Sequence, residues 1–448
     1  MQRENSTPLK STIASRRPLF GVLLLALVVR TGILWADFGG LSADVDNYRQ
    51  IAENLRRTGV FGSVTGANGE VAPTAFRPPL YPLLLASLAT DDGVSRASVA
   101  MLHLAIGLLS VALLWRLAVE WLDLRGAVIA CGLFIVDPIL LNQSARVMTE
   151  TLATLLAIAG LWTLTRLIQS PSVRRAAVAG TTLGLACLCR PTFLPWAAIC
   201  QLTVFAIAAF PDRAPRTLVI RWSHGATILI GFAATMAPWM IRNQAVFGRP
   251  IYATTHGGYT LLLANNDSFY QHLRTRPFTE VWDARQLQDQ LPPATGGELA
   301  ADARDYRLAR DTIRRQPGMF VYSALHRVAM FWSPLPHRLT ADESAARRWA
   351  RLAVAAWYLA VSAAAAVGVG YLTRQALRGG IAKLLDPPWL FAALLLVTLT
   401  AVHAVYWSNM RMRAPLVPVV SLLAAAGFGA IFDAAKKKRG RAEARHEY

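Results

Sequence analysis

Apolar residues gather along this chain in long runs separated by short polar stretches. The runs predict about ten membrane-spanning helices, over 18–36, 97–118, 125–143, 149–168, 176–190, 192–210, 223–241, 350–372, 388–406 and 414–433. A hydrocarbon layer about 30 Å thick needs roughly twenty apolar residues at 1.5 Å each, so the shorter runs are spans only where neighbouring protein covers their ends. The fold class expected is all-α: a polytopic membrane protein with extracytoplasmic loop helices. The first run, "LLLALVVRTGILWADFGG", is followed by no small-residue cleavage site and reads as a retained anchor.

Two long polar intervals interrupt the runs, each with its own periodicity. In the first, Tyr48, Ile51, Ala52 and Leu55 recur at i, i+3, i+4 and i+7, which predicts a short amphipathic helix on the membrane surface ended by Thr58-Gly59. After it, "GSVTGANGE" reads as a glycine-rich connector and "PTAFRPPLYPLLLASLA" as an apolar segment of about twelve residues, too short to span. In the second, 265–349 reads as one or two surface helices, with Tyr306, Ala309 and Ile313 on one face and Phe320, Leu325 and Phe331 following Pro317-Gly318. The organisation expected is a polar tail over 1–17 and a membrane module over 18–264 whose first outer loop is 37–96, then an outer segment over 265–349, three closing spans within 350–433 and a basic tail over 434–448.

Composition agrees with a membrane protein: 54% of the 448 residues are hydrophobic and only 16% charged, against ~25% charged in an average soluble domain. The net charge of +19 does not point to nucleic acid, because Lys and Arg flank the apolar runs instead of forming a basic domain or an RNA-binding signature. Lys10, Arg16, Arg17, Arg116, Arg125, Arg174, Arg175, Arg213, Arg216, Arg221, Arg374, Arg378, Lys383 and the tail "KKKRGR" occupy every second connection. The excess of positive charge on cytoplasmic loops then puts both termini inside and 37–96, 144–148 and 242–349 outside. The outer loops are rich in arginine as well, which calls for a functional account. Cys131, Cys187, Cys189 and Cys200 fall inside apolar runs and read as small core residues, and His103, His256, His326 and His403 lack zinc-ligand spacing.

Several charged residues are candidates for chemistry, each with a plainer reading beside it. Asp44 precedes Tyr48 by four and so shares the side of the apolar stripe, whereas Asp46 lies about 200° away at 100° per residue and is turned to water. Asp44 is either a helix cap or a catalytic carboxylate. Arg77, ahead of Pro78-Pro79, either snorkels to the headgroups or donates to a phosphate. Glu150 follows Arg146 by four, a local ion pair or a second active-site acid. Arg190 before Pro191 either caps carbonyls or binds phosphate, while Arg242 and Asn243 anchor their span and Asp137 is paired inside the bundle.

Six segments together resemble the GT-C membrane glycosyltransferases, within them the group of protein O-mannosyltransferases and the lipid A aminoarabinose transferase. They are "ADVDNYRQIAENLRRTGVFG", "FRPPLYPLLLA", "RVMTETLATLLAIAG", "GLACLCRPTFLP", "APWMIRNQAVFG" and "RMRAPLVPVV". The resemblance covers about 18–265 and 388–433 and implies transfer of a sugar from a polyprenyl-phosphate donor to an acceptor protein, lipid or polysaccharide on the outer face, in a bacterial plasma membrane. It implies Asp44 as general base and leaves open whether Asp46 supplies a second carboxylate, as the spacing left open whether Glu150 does. A leaving polyprenyl phosphate needs cations more than a proton, which makes Arg77, Arg190, Arg411 and Arg413, near the outer ends of spans, the candidate phosphate ligands, with Tyr48 and Arg146 in support. Val45 stands where many members have Glu, and the part of a divalent cation is left open. A transporter of lipid-linked saccharides is the competing reading; it calls for paired halves and polar groups at mid-membrane, and neither half of this chain resembles the other.

Overall fold

Among the described residues of the computed structural model, eight helices are long and apolar enough to cross a membrane, and a bent pair makes a ninth when its two pieces count as one span. The structure describes residues 16–65, 69–210, 220–278, 280–285, 287, 291, 296–337, 343–378 and 387–446. Lys10, Arg213, Arg216 and Lys383, on which the charge reading partly leans, lie outside them. The long helices are α1 (Arg16–Ala36), α4 (Arg96–Trp121), α7 (Glu150–Gln169), α9 (Leu194–Ala209), which the 3-10 turn Pro191–Phe193 extends to 19 residues, α10 (Trp222–Phe247), α15 (Ala345–Arg378), α16 (Pro387–Val405) and α17 (Val417–His446).

Two of the expected ten spans come out differently. The run 125–143 is broken into α5 (Leu124–Ile135) and α6 (Pro138–Ser144), which meet at 51°. Pro138 has no N–H and disfavours helical backbone in the residue before it. Asp137 restarts the helix by accepting from Leu140 N at 3.0 Å, and also takes the Tyr358 hydroxyl at 3.2 Å. The run 176–190 becomes α8 (Val173–Cys189), 17 residues long, short of a full span and packed against α7 and α10.

Spans approach closely where small residues face each other. A Cβ built on Gly368 of α15 would collide with the Leu423 carbonyl of α17, and one on Gly427 with the Ala364 carbonyl. Between apolar helices in lipid, such backbone proximity supplies the van der Waals contact that holds them together.

The first long polar interval folds as a small layer over the spans. Helix α2 (Tyr48–Thr58) buries Tyr48, Ile51 and Ala52 as its stripe predicts, and Gly59 ends it at φ 72°, a left-handed turn that glycine adopts without strain. The expected connector is instead a β-hairpin, β1 (Gly62–Thr65) with β2 (Glu70–Pro73). Helix α3 (Leu80–Ala86) follows and packs on α2. Arg242, expected only to anchor its span, clamps this layer, donating to the Phe61 carbonyl at 2.8 Å and the Thr74 carbonyl at 2.9 Å across the rings of Phe61, Trp239 and Phe247.

Between α10 and α15 lie α11 (Gly257–Ala264), α12 (Asp267–Thr275), α13 (Gly297–Arg315) and α14 (Pro317–Trp332). Of the apolar residues noted in α14, Phe331 is buried and Leu325 is 66% exposed, and Ser323 and Arg327 share the buried face. Arg327 sets that face. Its guanidinium donates to the carbonyls of Ala264 and Ala404, ending two helices in one cation.

Candidate active site

The backbone leading into α2 is not helical, and this decides where the two aspartates go. Asn47 sits at φ 58°, a left-handed position that Asn tolerates better than most residues, so an angle counted at 100° per residue does not hold over 44–47. Asp44 caps the helix in a displaced way: Oδ2 accepts from Gln50 N at 2.9 Å, while Oδ1 is buried without a partner. Asp46 is not turned to water. Its carboxylate is 19% exposed and Oδ1 accepts from Arg77 Nη2 at 2.8 Å, while its carbonyl accepts from Arg77 Nε at 2.9 Å. Two donors of one planar fork on one residue fix the guanidinium in angle as well as position.

The stretch just before Arg77 is held by a residue that sequence reasoning missed. Glu298, at the start of α13, accepts from Thr74 Oγ1 at 2.5 Å, from Ala75 N at 2.8 Å and from Thr255 Oγ1. No periodicity marks Glu298, because its partners lie 43 to 224 residues away. The neighbouring Phe76 packs edge-on against His256 at 4.4 Å, whose pKa burial and then Arg77 push down to about 3.

Tyr48 joins this pair to a second charged group. Its buried ring meets Tyr81 edge-on at 5.4 Å, with the Arg77 guanidinium carbon 5.7 Å from its centroid. Burial raises the phenol to about 12, against Arg77 and Arg190, which lower it, and together with Asp46 and Glu150, which raise it. Tyr81 lies 2.8 Å from His103 Nε2, and His103 Nδ1 lies 2.8 Å from the Ser144 carbonyl. A carbonyl only accepts, so the proton is on Nδ1 and Nε2 accepts from the tyrosine.

The second group centres on Glu150, fully buried at the first turn of α7. Its Oε1 lies 3.3 Å from Arg190 Nη1 and 3.2 Å from Arg411 Nη1. The expected pairing with Arg146 does not form, since α7 begins only at Glu150 and the four-residue helical spacing does not exist there; Arg146 pairs with Asp37 at 2.6 Å. Arg190 stands at the extended break between α8 and Pro191, from which it reaches across to α7.

Arg411 and Arg413 part company. They lie on a 3-10 turn, Met410–Leu416, where two residues span about 240°. Arg411 reaches Glu150, and Arg413 turns into the bundle over the Tyr358 ring at 4.1 Å and donates to the Phe331 and Ser333 carbonyls at 3.2 and 2.8 Å. Arg413 is therefore placed as a cap of α14, apart from the other three arginines. Among the described residues no three His, Cys, Asp or Glu side chains come together as a metal site.

The result is a compact alternation of charge. Asp46 with Arg77 and Glu150 with Arg190 and Arg411 both lie within electrostatic reach of Tyr48, and Asp44 lies within reach of its neighbour Tyr81. Three guanidiniums so placed can take an oxyanion, and a carboxylate oxygen with no donor of its own can take a proton.

Residues 76–241 match the sequence model of the dolichyl-phosphate-mannose-protein mannosyltransferase family. That segment holds Arg77, Arg146, Glu150 and Arg190 and starts after Asp44 and Asp46. No curated protein matches the chain. Among solved structures it is similar to the archaeal oligosaccharyltransferase AglB from Archaeoglobus fulgidus, in complex with an inhibitory peptide and a dolichol-phosphate, at 15% identity and TM-score 0.45 over 95% of this chain and 52% of that one. It is also similar to ArnT from Cupriavidus metallidurans bound to undecaprenyl phosphate, at 14% identity and TM-score 0.39 over 91% of this chain and 77% of that one. The chain spans about half the length of AglB.

Proposed function

We propose that this chain is a membrane glycosyltransferase of GT-C type, which moves a sugar from a polyprenyl-phosphate carrier to an acceptor on the extracytoplasmic face of a bacterial plasma membrane. The observation that carries this reading is the gathering of Arg77, Arg190 and Arg411, from three separate stretches of chain, around Tyr48 and Glu150 beside Asp44. Evolution of charge in the reaction asks for that arrangement. As the acceptor's oxygen or nitrogen attacks the anomeric carbon, the bond to the carrier's phosphate oxygen breaks and its electron pair leaves with the phosphate. The departing group is an anion that needs cations more than a proton, and guanidinium forks fixed beforehand supply them without reorganisation.

Asp44 takes the acceptor's proton through Oδ1, which is free to accept because Oδ2 alone serves the helix cap. A positioned base of this kind contributes on the order of 10²–10⁴ in rate. Asp46 orients Arg77, and Glu150 keeps Arg190 and Arg411 together before the carrier arrives.

The test is single-turnover transfer by purified protein in lipid nanodiscs, with polyprenyl-phosphate sugar labelled in the sugar and an extract of envelope acceptors. Label leaving the carrier for an acceptor, and no longer doing so in Arg190→Ala, is the expected result. Intact carrier moved between the leaflets of proteoliposomes, with no cleavage of the sugar, would replace the enzyme by a transporter.

A further inference from the structure

At the far end of the bundle from the charged group lies an open recess of about 600 Å³ between α4, α7 and α8. Helix α7 connects the two places: Glu150 begins it, and Arg166, in its last turn, lines the recess. At about 1.5 Å per residue the two lie roughly 24 Å apart, most of the depth of a hydrocarbon layer. The recess is therefore at the opposite membrane face, where the proposed reaction has no use for it. Four guanidiniums line it from three helices, Arg116 of α4, Arg166 of α7, and Arg174 and Arg175 of α8. Two are held by the protein itself: Arg166 Nη1 lies 3.2 Å from the Glu120 carboxylate, and Arg175 donates to the Ser170 carbonyl. Arg116 and Arg174 have no acceptor among the described residues.

Charge and surface together define what fits. Arg174 and Arg175 stand in the first turn of α8, which contains no acid, so their charges add to the positive end of the helix dipole instead of opposing it. The recess wall contributes no carboxylate either, and so many like charges in one place favour an anion. Trp162, half-buried, and Val178, 46% exposed, put apolar surface beside the guanidiniums. A tryptophan near the end of a span sits between hydrocarbon and water. A free phosphate would leave that surface unused, whereas a phospholipid lays its acyl chains there and brings its phosphate to the arginines, as basic pockets between spans do for anionic headgroups. A headgroup ammonium finds no acid in the wall. Ser172 suits a phosphate or a headgroup hydroxyl: its Oγ accepts from Arg175 N at 3.3 Å and keeps its own proton to donate.

We infer that this recess seats an anionic phospholipid of the phosphatidylglycerol kind, its phosphate gripped by Arg116 and Arg174 and an acyl chain laid on Trp162 and Val178. Arg166 and Arg175, fixed by Glu120 and the Ser170 carbonyl, flank the phosphate and add to its attraction. The site lies a membrane's depth from the charged group and does not depend on the transferase reading.

The experiment is native mass spectrometry of the full chain, released from detergent after mixing with phosphatidylglycerol, phosphatidylethanolamine or phosphatidylcholine of identical acyl chains, with thermal melting of the same mixtures. Phosphatidylglycerol should stay bound, raise the melting temperature and bind at least tenfold more tightly than either zwitterion. Arg116→Gln combined with Arg174→Gln should abolish that preference, while Arg125→Gln combined with Arg378→Gln, the same loss of charge at exposed positions outside the recess, should keep it. Without lipid the first double variant should melt as the wild type, and each of its substitutions made singly should weaken phosphatidylglycerol several-fold, so the result does not rest on one protein. Equal binding of the three lipids, or an equal loss in both double variants, overturns the inference. Inorganic phosphate displacing phosphatidylglycerol at equal concentration would also overturn it, leaving a site for soluble anions, and so would undecaprenyl phosphate outcompeting it, which assigns the recess to the carrier.

Discussion

Asn retains an oxygen able to accept from Gln50 N, so Asp44→Asn keeps the cap of α2 and removes only the basic carboxylate. Turnover should fall by about a hundredfold or more, the range of a lost general base, with carrier affinity unchanged. Asp46→Asn weakens the hold on Arg77 and should raise KM for the carrier while costing less than about tenfold in kcat. Both constants come from initial rates over a range of labelled carrier; normal turnover in Asp44→Asn would leave that residue a cap alone. Glu150→Gln makes a different demand, because it leaves Arg190 and Arg411 facing each other across a buried amide. Removing one partner of a buried ion pair costs ~3–5 kcal/mol. The variant should melt well below the wild type in detergent, and undecaprenyl phosphate should recover more of the loss than it adds to the wild type, since an anion then replaces the missing carboxylate. Equal ligand-induced shifts in the two proteins would detach these arginines from the carrier.

At the scale of elements, helix packing depends on a few positions without side chains. Gly368→Leu forces a branched side chain onto the Leu423 carbonyl, and neither backbone can yield without separating α15 from α17. Overpacking of this kind costs about 1–3 kcal/mol or more. The yield of monodisperse protein and its melting temperature should both fall, whereas Gly370→Leu, with nothing near its Cβ, should behave as the wild type. Where local signals dominate, the elements follow the pattern of the chain: α2 starts and stops where its stripe and Gly59 place it. Where a partner is distant they do not. The hairpin of β1 and β2 looked like a connector because four-residue strands offer too few alternations to read, and the buried face of α14 was set by Arg327 finding carbonyls of two other helices.

For the whole molecule, sidedness is the property with most consequence. Single cysteines in place of Asp91 and Ala303, both exposed, should react with an impermeant maleimide applied outside intact cells, and one in place of Ser170 should react only after lysis. Labelling of Ser170→Cys from outside would invert the protein and put the charged group in the cytoplasm, where nucleotide sugars become plausible donors.

The sequence by itself determined the all-α membrane fold, the place of most spans, the short helix after the first span and the choice of charged residues to consider. These follow from apolar run length and from periodicity within a dozen residues, both local quantities. Which charges meet was decided only in three dimensions. Asp46 turns to Arg77 because Asn47 leaves helical geometry, and Glu150 prefers Arg190 and Arg411 to Arg146 because its helix begins too late for a four-residue pair. Glu298 gave no signal at all, since a buried polar group of this kind is defined by partners that the fold brings from far along the chain.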